Sequence, residues 1–322
     1  MTVDDTGAPL YLSGARLDAL GITARDVIAS IEHLIGGQAR AEVWNAPKSV
    51  IRPQDGRYVM GTLAAADDPP YMVMKSLIVN PANTARGLPG INASVTLSDS
   101  ATGIPLAVLD GNWITGVRTA GLSAVAAMRL ARTESKVLAL IGCGVQAHSH
   151  LRLFKELFPL SEMRAFGRGE ASRDALCSAA AAMGLEVVKS RSAREALSGA
   201  DIVVSSVTLS ADVNPFLNAH WLDAGAFATI TDLAMSWEPG GMSAFDRVFI
   251  DDMEQELKSD QPLMSAELID GDLSSLVQKT TSGRTAEGER TAFVFRGLAL
   301  GDLALAALAY DRATGASGSD GR

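Results

Sequence analysis

The chain has only two cysteines, Cys143 and Cys177, in 322 residues, too few for a disulfide framework. Its four histidines show no zinc-ligand spacing with them, so no metal is expected. Basic residues are in deficit, 28 Lys and Arg against 37 Asp and Glu, and the net charge of −9 makes nucleic acid a poor partner for the surface as a whole. No uninterrupted apolar run reaches the length that spans a bilayer. The first ten residues, MTVDDTGAPL, carry acids and neither a basic nor an apolar leader segment, the pattern expected of a protein of the reducing cytoplasm. What the chain does have is apolar content, 47%, and enough length for one large or two ordinary domains with a real core.

Periodicity divides that length in two. ARDVIASIEHLIGGQA, from Ala24, repeats apolar residues at helical spacing and stops at a glycine pair. From Ser49 to about Leu109 short β-rich runs alternate with turn signals such as QDG, DDPP and DSATG, which predicts an antiparallel meander or half-barrel. GVRTAGLSAVAAMRLAR then reads as a helix rich in small residues. After it, strand and helix patterns alternate as in a doubly wound domain. FVFRGLALGDLALAALAYDRA reads as the last helix, returning to the first domain, and TGASGSDGR as a frayed tail. The expected fold class is α/β: a Rossmann-type doubly wound domain over 134–290 plus an N-terminal α+β half-barrel over 1–133 and 291–322.

KVLALIGCGVQAHSHL is the first stretch with chemistry in it. An apolar strand runs into Gly142 and Gly144, and a helix resumes with Ala147 where a third glycine often sits. Gly142 would make the tight turn, Gly144 would admit a pyrophosphate to the backbone, and Ala147 would let the helix pack close to the strand. The helix N-terminus would face the negative charge. Val145 and Gln146 complete this loop as candidate cofactor contacts, and Cys143 within it is read as a small filler. At the tip of the next strand, MRAFGRGEAS, an NAD site usually carries Asp or Glu for the ribose hydroxyls. Gly167 and Arg168 stand there instead, which leans toward NADP(H) over NAD(H). Ser205, Ser206 and Thr208, at the end of DIVVSSVT, are candidate linings on the nicotinamide side, and Thr119 is a further cofactor candidate.

Three charged residues stand where charge is costly or useful. Lys75 is alone in the apolar strand YMVMKSLIV; a buried ammonium needs a partner, whereas alternation could equally put it on a solvated face. Arg118, in GVRTAG at the expected helix start, offers a planar fork to a carboxylate, with the helix N-terminus adding favourable charge. Asp232, in ATITDLAMSW, lies at a strand tip and could exchange a proton with a bound nitrogen or simply cap a helix.

These pieces together resemble the ornithine cyclodeaminase/μ-crystallin family, from about Ala46 to Tyr310. NPANTARGLPG, TGIPLAVLDGNWITGVRTAGLSAVAAMRLA, VLALIGCGVQAHSHL, GADIVVSSVT and VFRGLALGDLALAALAY carry the resemblance. It implies a homodimer built sheet against sheet through the N-terminal domains, and hydride exchange between NAD(H) or NADP(H) and an α-amino acid carbon. It also implies that Lys75 is the active-site lysine, Arg118 the substrate arginine and Asp232 the catalytic aspartate. Lys48 stands where the family generally has an arginine that helps hold the carboxylate, and Arg52 follows four residues on.

The family's cyclodeaminases follow their aspartate with a P-G-K-x-E-L run; here the residues are LAMSWEPGG. That departure disfavours ornithine cyclodeamination and leaves an imine reductase as the first reading. Lys48, Arg52, Lys75 and Arg118 together point to an anionic substrate, iminosuccinate first, with a ketimine or iminopropionate behind it. A cyclodeaminase-type lyase and a non-enzymatic dinucleotide- or ligand-binding protein are the rival readings.

Overall fold

The computed structural model describes residues 7–208 and 213–315. The tail expected over TGASGSDGR lies almost wholly outside them. The chain divides into two compact units, Met1–Arg118 with Leu298–Arg322, and Thr119–Gly297.

Unit 1 is built on a seven-stranded sheet. Strands β4 (Tyr58–Ala66), β5 (Tyr71–Val79), β6 (Ile91–Asp99) and β7 (Pro105–Asp110) form the antiparallel meander that the turn signals predict. β2 (Val43–Asn45) and β3 (Ser49–Ile51) both pair with β4. At the other edge β1 (Leu10–Leu12), which the periodicity did not reveal, runs parallel to β7. β5 alternates cleanly: Val73, Lys75 and Leu77 are buried, while Met74, Ser76 and Ile78 are exposed. Lys75 therefore belongs to the core face, in register with Thr62 on β4 and Val95 on β6.

Helices of unit 1 include α1 (Gly14–Asp18) and α2 (Ala24–Ala39), the latter opened by a capping box between Thr23 and Asp26. α2 buries Val27, Ile31, Leu34 and Ile35 and packs on the C-terminal helix α9 (Ala299–Thr314), which also lies on β4, β5 and β6. From Ala299 to Ala307 every residue of α9 is buried, so the helix has no solvent face there, and Asp302 is inside with the rest.

α3 (Gly111–Leu130) starts seven residues before Arg118. Asp110 opens it by accepting from the amides of Asn112 and Trp113 at 2.9 and 3.1 Å. A side chain at Gly111 would sit 2.5 Å from the backbone of Ala93, so only glycine lets the helix leave β7 this close to β6. The division between units falls inside α3, after Arg118, whereas the sequence suggested a boundary after the helix, at 133. Beyond Arg118 the helix is bonded into unit 2: Ser123 contacts His150 and Thr229.

Unit 2 carries an eight-stranded, wholly parallel sheet. Its strands are β8 (Val137–Ile141), β9 (Glu162–Phe166), β10 (Glu186–Lys189), β11 (Ile202–Ser205), β12 (Phe227–Ile230), β13 (Arg247–Ile250), β14 (Gly271–Asp272) and β15 (Thr291–Val294). Their order is β10-β9-β8-β11-β12-β15-β13-β14, with α4 (Val145–Leu157), α5 (Glu170–Ala182), α6 (Ala193–Leu197), α7 (Met253–Leu257) and α8 (Leu273–Val277) between them. The order reverses between β8 and β11, and such a reversal opens a crevice at the carboxyl ends of the two strands.

One segment departs from the sequence reading. Residues of TAFVF were read as the start of the last helix, yet Thr291–Val294 is a strand inserted between β12 and β13. All four residues are buried, as a central parallel strand requires, and a short run that is apolar throughout has no period to separate strand from helix.

Candidate functional site

In unit 1 the core face of the sheet and α9 enclose a cluster of charge. The Lys75 ammonium donates to Asp302 with its nitrogen 2.7 Å from each carboxylate oxygen, and both side chains are shut off from solvent, at 0% and 1% exposure. Thr62 donates its hydroxyl to Asp302 Oδ2 at 3.2 Å. The Arg118 guanidinium, itself buried, approaches from α3, with Nε 3.3 Å from Asp302 Oδ1. Neither Nε nor Nη1 of Arg118 has a hydrogen-bond partner among the described residues. Two cations thus share one carboxylate in a dry place, leaving one positive charge and two donor nitrogens unsatisfied. Burial pushes the Lys75 ammonium down to about 8; Asp302 opposes that shift and Arg118 adds to it.

Asp302 is the residue that sequence reasoning missed, although it stands inside a quoted family segment. Its signal was the one that singled out Lys75: a lone charge within an apolar run. Arg118 also differs from expectation. It lies two turns inside α3, so the helix N-terminus adds nothing at its guanidinium. Lys48 is half-buried between β2 and β3; Arg52 is exposed, its guanidinium carbon 5.4 Å above the Tyr58 ring.

Unit 2 brings the glycine loop to the reversal point of its sheet. Gly142 has φ +91°, and a side chain there would meet the Ser206 carbonyl oxygen at 2.6 Å. The ends of β8 and β11 come this close because Ser206 N–H donates to the Ile141 carbonyl at 2.8 Å. Gly142→Ala is therefore expected to destabilise the unit by at least about 2 kcal/mol, through left-handed strain plus a backbone clash. Thermal melts with and without NADPH would show it, the variant losing most of the ligand-induced rise in Tm.

Gly144 occupies the N-cap of α4, with no side-chain cap and no atom within 4 Å of where its Cβ would lie. The space beside the α4 N-terminus is thus open at Gly144, the arrangement that receives a pyrophosphate. Val145 is exposed, Gln146 half-buried and Ala147 fully buried against the sheet. Ser206 Oγ is a buried hydroxyl oxygen without a partner among the described residues. An open cradle and an orphaned hydroxyl at the switch point fit a dinucleotide. Cys143 is buried and its thiol is pushed up to about 11, first by burial, which suits a filler.

Arg168 is exposed at the loop after β9, and Arg173 reaches back to the Gly167 carbonyl at 3.4 Å. Thr119 is buried and Thr208 exposed. His150 is a core residue. Its Nδ1 lies 2.7 Å from the Gln146 carbonyl and its Nε2 2.9 Å from Ser123 Oγ, and burial pushes it down to about 4.

Asp232 follows β12 and is 2% exposed. It accepts from Ser205 Oγ at 3.2 Å, the Val207 amide at 3.2 Å and Ser236 Oγ at 2.8 Å. Burial pushes its carboxyl above the usual range, and those three donors pull the other way. It caps no helix; Leu233 and Ala234 take left-handed conformations that turn Ser236 back onto it. Ser205, a candidate lining on the nicotinamide side, is fully buried. It accepts from the Trp237 indole at 2.9 Å and donates to Asp232, so its hydroxyl is engaged in holding the aspartate.

A family profile described as ornithine cyclodeaminase/mu-crystallin matches residues 20–317. The chain belongs to that family. Among its relatives, ketimine reductase mu-crystallin of Mus musculus is 32% identical over 261 residues, 79% of each chain. Alanine dehydrogenase of Archaeoglobus fulgidus is 27% identical over 257 residues, 76% of this chain and 77% of the other. The solved Thermococcus litoralis Δ1-pyrroline-2-carboxylate reductase, in complex with NADH and L-proline, superposes with a TM-score of 0.88 at 25% identity, covering 97% of this chain and 100% of its own. Membership makes the family fold of an N-terminal mixed-sheet part and a doubly wound nucleotide part the architecture of this chain. No helix among the described residues is long and apolar enough to cross a membrane.

Proposed function

We propose that the chain is an NAD(P)H-dependent oxidoreductase that reduces the C=N bond of a small α-imino acid to an L-amino acid. The observation that carries this reading is the uncompensated positive charge of the Lys75–Asp302–Arg118 cluster, with Arg118 N–H groups left without partners. A buried site of that kind attracts an anion that forks across a guanidinium, which is what an α-carboxylate does. In the balanced reaction the imine carbon gains a hydride, its nitrogen gains a proton, and NAD(P)H becomes NAD(P)+. The bound nicotinamide supplies the hydride. Arg118 holds the carboxylate, Lys48 assists, Lys75 keeps a positive charge beside the imine, and Asp232 or Lys75 exchanges the proton at nitrogen. The relatives named for ketimine, pyrroline-carboxylate and alanine chemistry support this reaction class.

Charge also bears on the substrate. With Asp302 counted, the buried cluster carries one net positive charge and matches a single carboxylate. Arg52, counted earlier toward a dicarboxylate, is exposed over Tyr58. Iminopropionate and cyclic ketimines accordingly move ahead of iminosuccinate. Pyruvate, glyoxylate or oxaloacetate mixed with ammonia, and Δ1-pyrroline-2-carboxylate alone, should each be tried with NADH and NADPH, following loss of reduced-cofactor absorbance. Consumption with pyruvate or the cyclic imine exceeding that with oxaloacetate is expected. No consumption with any of them, together with ammonia release from ornithine, would instead establish the cyclodeaminase.

Arg168, and the absence of a carboxylate between Phe166 and Gly169, favour NADPH within the cofactor pair. Arg168→Ala should weaken NADPH binding about tenfold and leave NADH within about twofold, measured by fluorescence titration. An equal effect on both would assign Arg168 to the adenine instead.

We also propose a homodimer formed through the outer face of the unit 1 sheet. Trp44, Ile51, Leu63, Met74 and Ile78 are 41–65% exposed there, an apolar patch that monomers rarely leave open. Met74→Glu should halve the mass seen by sedimentation.

A further inference from the structure

We infer that Asp302 is a positioning residue: by gripping Lys75 with both carboxylate oxygens it keeps that side chain an ammonium and leaves the Arg118 fork for the ligand's carboxylate. The three side chains are not bonded alike. Lys75 directs its ammonium at Oδ1 and Oδ2 from 2.7 Å, and Thr62 holds Oδ2 from β4 at 3.2 Å. Arg118 comes only to 3.3 Å by Nε, outside hydrogen-bonding geometry, and its Nη1 is unpartnered among the described residues. One carboxylate is thereby committed to the lysine, and the arginine is left with donors facing no acceptor.

The commitment matters because the two cations differ in kind. A guanidinium keeps its charge under all ordinary conditions, whereas an ammonium in a dry place can shed its proton. The groups facing the Lys75 ammonium are Asp302 from α9, Arg118 from α3, Thr62 from β4 and the apolar Val95 from β6. Asp302 is the single negative charge among them. Without it, burial and Arg118 would act together, and Lys75 would become a neutral amine near neutral pH. A bound carboxylate would then have to draw a proton back onto the lysine. In the native protein that exchange is centred near pH 8, where half of the ammonium has lost its proton, and is slight at about pH 6.

This inference rests on the anion-binding part of the proposed function and needs no turnover, so it can fail or stand separately from the reductase reading. The probe is cyclopentanecarboxylate, which has a carboxylate and nothing else that titrates above about pH 6. Calorimetric titration of the full chain, saturated with NAD+ or NADP+, in buffers of different ionisation enthalpy counts the protons taken up on binding. The native protein should take up almost none at about pH 6 and a growing fraction through about pH 8. In Asp302→Asn the onset should move at least one pH unit to the acid side, with affinity at neutral pH about tenfold weaker. Asp302→Glu should restore the native onset. An onset unmoved in Asp302→Asn, or native uptake that stays at zero up to about pH 9, would overturn the assignment. The second measurement uses only the native protein, so the question is answered even if the asparagine variant does not fold.

Discussion

Arg118→Ala should lower kcat/KM for the imino acid about a thousandfold, chiefly through KM, while the melting temperature stays level or rises. The loss follows from two parallel charge-assisted hydrogen bonds to a desolvated carboxylate, whose removal typically costs about 2–5 kcal/mol. The unchanged or higher stability follows from the charge balance. Lys75 and Asp302 remain a neutral pair at 2.7 Å, and the one uncompensated buried charge is gone. Arg118→Lys separates charge from shape: it returns a cation without the fork, and should recover part of the affinity and little of the rate. A raised KM with the melting point lowered by many degrees would mean that Arg118 braces the fold. Steady-state kinetics and a thermal melt on the same preparation decide between them.

Lys75→Met should be worse in both respects. The cluster becomes electrically neutral, with Asp302 facing Arg118, and a carboxylate ligand loses its attraction. Activity should fall by at least about a thousandfold. Breaking a buried pair from one side costs about 3–5 kcal/mol, and the lower end applies here because Arg118 Nε is already 3.3 Å from Oδ1. Adding Asp302→Leu should return none of the activity and lower the stability further, since the buried Arg118 cation then has no acid to face. Urea denaturation and initial rates on the single and double variants measure the two effects. Recovery of activity in the double variant would remove Lys75 from the reaction.

What could be read in advance depended on how much pattern each residue interrupted. Lys75 broke an alternating strand, so its oddity was visible and only its face was open; the burial of Val73 and Leu77 on either side decided that. Gly142 and Gly144 stood between a strand pattern and a helix pattern; the need for glycine at Gly142 appears in the Ser206 carbonyl, while Gly144 leaves open space at the α4 cap. Asp302 escaped because α9 is apolar all round. Without a polar face there is no stripe for an acid to violate, and it read as one polar residue in a helix. β15 escaped for a related reason, its four buried residues having no period. The division of α3 at Arg118 left no mark because helix geometry continues through it; what changes there is the set of neighbours, which no local window contains. Ser205 was read at the end of β11, where it stands, but its bonds were not legible, since its partners Trp237 and Asp232 lie 32 and 27 residues away.

The late position of α9 has a consequence for how the molecule is made. The ribosome delivers Lys75 and Arg118 first, then the whole of Thr119–Gly297, and only afterwards the helix that bears Asp302. Throughout that interval the sheet of the first unit has a lysine on its core side with no acid to meet it. Its interior cannot close dry until α9 has been made, and a chain interrupted before Leu298 would be left holding an open, cationic half for chaperones or proteases to find.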